Sequence, residues 1–161
     1  MLNPENDPEE KRIQQLGGAP VGLMENLSPE EYMAISFFRR WCDGIPSEVS
    51  LRQELIINLG YGIGEQTIQS FTSLCEIIFK YGRRHLIRHK TDCDCVGADE
   101  SCFAQLITRA VYEEKEDTML IALLLVPPSF AAQVVDHSLQ VGTAIKSLVN
   151  KERQLVLDKL N

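Results

Sequence analysis

Apolar residues recur along most of this chain at intervals of three and four, the spacing that lines one face of a helix. Ser28-Pro29-Glu30-Glu31 supplies the sharpest start signal. Ser28 can cap, Pro29 fits the first helical position, and Glu31 closes a capping box. Tyr32, Ile35, Phe38 and Cys42 then share one side, and Asp43-Gly44 ends the helix. Ser47 or Ser50 is expected to cap a second helix running to about Leu59, with Leu51, Leu55, Ile56 and Leu59 on its apolar face. Gly60, Gly62 and Gly64 read as a flexible helix–helix turn. Their spacing is not that of a phosphate-cradling loop, and no strand precedes them. Ile68, Phe71, Leu74, Cys75, Ile78, Phe79 and Leu86 predict a long third helix from about Glu65 to Arg88, with Cys75 a core thiol.

Phe103, Leu106, Ile107, Ala110 and Val111 mark a fourth helix that starts at Ala98 or Asp99. The acidic stretch from Glu113 to Asp117 separates it from a fifth, Thr118 to about Val126. After Pro127-Pro128-Ser129, the residues Phe130, Val134, Val141, Ile145 and Leu148 line a long last helix. Helical propensity continues from Lys151 to Asn161, adding the apolar positions Leu155, Val156 and Leu160. No stretch alternates with the period of two expected of a half-buried strand. The expected fold is therefore all-α, a single-domain bundle of five to six helices over residues 28–161. An acidic, Pro- and Gly-containing arm over 1–27 precedes it. That arm should be loosely attached, docked through Val21, Leu23 and Met24, with a helical turn or two from Pro8 to Ile13.

Composition agrees with a globular helical chain: 161 residues, 44% hydrophobic and 24% charged, with aromatics at 7%. The formal charge of −7 argues against a surface that tracks nucleic acid as a whole. It is unevenly spread, since residues 32–90 hold five acids and eight bases. The longest apolar run, Met119 to Val126, is too short to span a bilayer. The opening MLNPENDPEE has neither the cationic nor the apolar part of a secretory signal. A cytoplasmic location is expected, where the five cysteines, an odd number, would stay reduced.

One stretch, His85 to Cys102, concentrates the residue types of chemistry. If the third helix persists, His85 and His89 share a face; Cys93 and Cys95 follow in a loop, and Cys102 opens the next helix. Tetrahedral zinc takes four such thiolates and imidazoles, so His85, His89, Cys93, Cys95 and Cys102 are the candidate metal ligands. A spacing of Cys-x-Cys is less usual than Cys-x-x-Cys, and Cys102 also fits the apolar stripe beside Phe103. Cys93 or Cys95, near Arg88, His89 and Lys90, is alternatively a candidate reactive thiol. A calcium loop counted from Asp92 fails at Val96 and Phe103, where oxygen ligands are required. Asp136-His137-Ser138 point three ways on a helix and cannot form a triad.

The Cys-x-Cys-x-Gly-x-Asp-Glu string, followed by a helix containing Phe103, resembles small bacterial proteins; the resemblance implies no activity. The leading expectation is a non-enzymatic protein-interaction or regulatory module that self-associates, because Leu155, Val156 and Leu160 exceed what a small monomer buries. A zinc-binding module using the cluster at 85–102 is the alternative. A third reading is a DNA-binding regulator through 51–90, where Lys80, Arg83, Arg84, Arg88 and Lys90 follow a helix-turn-helix outline. No resident cofactor is expected otherwise.

Overall fold

The computed structural model describes residues 15–112 and 114–160. Six α-helices dominate these residues, so the chain is an all-α bundle. Helix α1 spans Pro29–Cys42 and starts as its sequence dictates. The Glu31 N–H donates to Ser28 Oγ at 3.2 Å, and the Ser28 N–H donates to Glu31 Oε2 at 3.0 Å. Two first-turn N–H groups that the helix cannot satisfy internally are thus paired.

Helix α2 spans Ile45–Leu59, earlier than a Ser47 or Ser50 cap would allow. Gly44 precedes it with φ at 103° and offers no side-chain cap. Pro46 stands in the first turn, where its missing N–H costs nothing and its fixed φ is already helical. Helix α3 spans Tyr61–Tyr81 and follows at once, turning on Gly60 at φ 83°. Gly62 and Gly64 are therefore helical rather than part of a flexible turn. Gly64 marks the crossing of the two helices: a Cβ there would lie 2.6 Å from Ile56 Cα and 2.7 Å from its nitrogen.

Helix α3 also stops short of the expected Arg88. Gly82 turns to extended backbone, and the Arg83 N–H donates to the Leu125 carbonyl at 2.9 Å. Arg83 Nε donates to the Leu123 carbonyl at 2.8 Å. These bonds satisfy C-terminal carbonyls of the later helix Lys115–Leu125, and they draw the chain away from the α3 axis before His85. Residues 83–94 run without regular secondary structure.

A two-stranded antiparallel sheet follows, which the sequence pattern did not announce. Strand β1, Pro20–Leu23, pairs with β2, Cys95–Gly97, with Gly22 opposite Val96 and Leu23 opposite Cys95. The Met24 N–H donates to the Asp94 carbonyl at 2.8 Å and extends the pairing. Val21 and Leu23 are exposed, so this segment is held chiefly by its backbone, while Met24 and Leu27 pack on the core. The helical turn expected from Pro8 to Ile13 lies outside the described residues.

Helix α4 spans Ala98–Val111, α5 Lys115–Leu125 and α6 Pro128–Leu160. Helix α6 packs along α3, α4 and α5, while α1 crosses α4 and α2 lies on α3. Where these layers meet, Phe38 stacks on Phe103 with centroids 4.6 Å apart, and Phe71 meets Phe103 edge-on at 6.0 Å. Cys75 is fully buried, as its place in the apolar stripe implies. No helix among the described residues is long and apolar enough to cross a membrane.

Candidate functional site

The junction between α3 and α4 is built around two buried carboxylates and the arginines that pair with them. Arg39 lies one turn after Ile35 on the buried face of α1, and Glu100 lies in the first turn of α4. Their side chains are 1% and 0% exposed. Arg39 Nε donates to Glu100 Oε1 at 2.7 Å and Nη2 to Oε2 at 2.9 Å, a bidentate fork. The remaining donors reach the loop: Nη1 to the Cys93 carbonyl at 2.7 Å, Nη2 to the Cys95 carbonyl at 2.6 Å. Glu100 in turn accepts the His89 N–H and the Gly97 N–H, each at 2.9 Å. Burial alone would push the Glu100 carboxyl up, but the Arg39 hydrogen bonds and these two N–H groups hold it below the usual value.

A second pair stands beside the first. Arg84 forks onto Asp99, which is almost fully buried and also accepts the Ile87 N–H at 2.8 Å. Gly17 lies against the Asp99 carboxylate, too close for a Cβ. Consecutive acids at the start of α4 therefore fasten two separate stretches, α1 and the irregular segment 83–94, while the Gly18 and Ala19 carbonyls before β1 accept from His89 and from the Ala98 N–H.

Within this frame His89 and Cys93 come together. His89 Nε2 donates to the Gly18 carbonyl at 2.8 Å, leaving Nδ1 facing Cys93 Sγ at 3.5 Å. The hydrogen bond to His89 holds the half-exposed Cys93 thiol below its ordinary value, and the same contact raises the imidazole. Cys95 is raised instead, first by the negative charge on neighbouring Cys93. Burial raises Cys102, Cys75 and Cys42, the last to about 11.

Because the thiolate is the nucleophile, iodoacetamide at neutral pH is expected to alkylate Cys93 ahead of the other four. Its rate should hold at pH values below the ordinary thiol range and fall only as Cys93 itself protonates. Peptide mass spectrometry over a time course reads the order, and equal rates at Cys93 and Cys102 would refute it.

The other expected ligands lie elsewhere. His85 faces solvent on the irregular segment, not one helical turn from His89. Cys102 packs half-buried against the core from α4. Among the described residues, no group of three or more His, Cys, Asp or Glu side chains is placed to hold a metal ion. The basic cluster is likewise largely engaged: besides Arg83 and Arg84, Arg88 Nη1 pairs with Asp43 Oδ1 at 2.8 Å.

Arg39 and Glu100 were the residues that sequence reasoning missed. Both carry a signal, since each charge sits in register with apolar neighbours. Arg39 is four after Ile35, and Glu100 is three before Phe103 and seven before Ile107.

A different surface stands at the far end of α6. Every residue from Lys151 to Leu160 is exposed, including Leu155, Val156, Leu157 and Leu160, the last at 78%. Pro29, Val149, Glu152, Arg153, Val156 and Leu157 line a shallow groove where these turns leave the body. Its lining is mostly apolar.

No protein-family model, curated protein or solved structure matches this chain.

Proposed function

We propose that the protein is a non-enzymatic interaction module that self-associates through the exposed turns of α6. The observation that carries this reading is the run Lys151–Leu160, exposed at every position yet holding four large apolar side chains. The buried stripe of α6, Val141, Ile145, Leu148 and Val149, continues outward as the exposed Leu155, Val156 and Leu160, which no other described residue buries. Isolated exposed apolar residues are ordinary on any surface; a contiguous patch marks an interface. Leu120 and Leu124 on α5 form a smaller exposed pair, one helical turn apart.

Sedimentation velocity across a wide concentration range tests the proposal. The weight-average sedimentation coefficient should rise with concentration toward that of a dimer. A single monomeric boundary at every concentration would remove self-association.

A further inference from the structure

Resting on that reading, we infer that the partner helix is a second copy of α6 running antiparallel, in one register fixed by charge. Val149, Arg153, Val156 and Leu160 succeed one another at intervals of four, three and four, which is the seam of a paired helix. Glu152 and Lys159 both flank this seam on the same edge, one heptad apart.

Two copies related by a twofold axis at the level of Gln154 and Leu155 set Leu160 of each beside Val149 of the other. The most exposed of these leucines thereby enters the groove lined by Pro29, Val149 and Val156. The same register sets Val156 against the aliphatic stem of the second copy's Arg153, whose guanidinium is already turned toward Glu30 at 3.8 Å.

Charge selects this arrangement over its alternative. In the antiparallel register each Glu152 meets the second copy's Lys159, so one interface forms two symmetry-related ion pairs. A parallel pair would instead set Glu152 against the apolar Leu157 and part it from Lys159. Edge charges of this kind govern orientation more than they add strength.

The full chain with Glu152→Lys, with Lys159→Glu, and with both is the test, read by sedimentation equilibrium. Both substituted positions are exposed. Each single reversal turns two attractions into repulsions and should weaken the dimer about tenfold. The double variant, and an equimolar mixture of the two single variants, should both regain wild-type association, because each restores opposite charges across the seam. Single reversals without effect, or a double variant as weak as the singles, would overturn the register while wild-type dimerisation still stood. A wild-type chain that remains monomeric would overturn the underlying reading itself.

Discussion

Replacing Arg39 with Met should destabilise the fold by about 3–5 kcal/mol, the usual consequence of leaving one partner of a buried ion pair uncompensated. The Glu100 carboxylate would lose two of its four donors while remaining fully buried. The Cys93 and Cys95 carbonyls would lose their guanidinium donors as well. A hydrophobic side chain of similar length fills the space and supplies none of those bonds. Set against a total stability of roughly 5–15 kcal/mol for an ordinary domain, the loss is large. At ~2–4 °C per kcal/mol for a chain of this size, the melting temperature should drop by roughly 10 °C.

Pairing Arg39→Met with Glu100→Met should recover only part of this loss, since the His89 and Gly97 N–H groups also depend on Glu100. Urea unfolding followed by circular dichroism measures both variants. A loss under about 1 kcal/mol for Arg39→Met would show that the buried pair does not hold the junction together.

Gly64→Ala should also destabilise, although alanine is the better helix former by about 1 kcal/mol. The added methyl would stand 2.6–2.9 Å from Ile56 Cα, Ile56 N and Leu55 C. Those are backbone atoms of α2 and cannot swing aside as a side-chain tip can. Helices α2 and α3 would have to part, loosening the contacts of buried Leu51, Leu55 and Ile68. Overpacking of this kind costs ~1–3 kcal/mol, enough to outweigh the propensity gain. Thermal unfolding of Gly64→Ala beside Gly62→Ala separates the two effects, because a Cβ at Gly62 meets nothing within 4 Å. Gly62→Ala should be neutral or stabilising; equal behaviour of the two variants would contradict the close crossing.

What the sequence made legible was whatever local chemistry decides. Ser28, Pro29 and Glu31 act within one turn, so the start of α1 could be placed from four residues. The apolar stripe that buries Cys75 likewise belongs to one helix. Elements governed by distant partners were misplaced. Helix α3 ends at Tyr81 because Arg83 bonds carbonyls of Leu123 and Leu125 some forty positions later, and no pattern near Leu86 reports that. The β1–β2 pairing is made by backbone groups of a few residues, two of them glycines, and leaves no alternation to read.

The candidate site suffered most from these long-range terms. His85 and His89 were brought to one face only by extending the helix, and once it stops they diverge. Cys93 remains beside His89 because the Arg39 guanidinium grips the Cys93 carbonyl and Gly18 accepts from the imidazole. The charges set in register with apolar neighbours, Arg39 and Glu100, were the unread sign that the junction is electrostatic.

Self-association through α6 is tested most directly by Val156→Asp combined with Leu160→Asp, compared with the unchanged chain in sedimentation equilibrium. Both positions are exposed in the monomer, at 58% and 78%, so unfolding measured at high dilution should scarcely change. The unchanged chain should associate reversibly into dimers, and the doubly substituted chain should remain monomeric across the same concentrations. Equal association of the two, or a monomer in both, would contradict an interface on these turns.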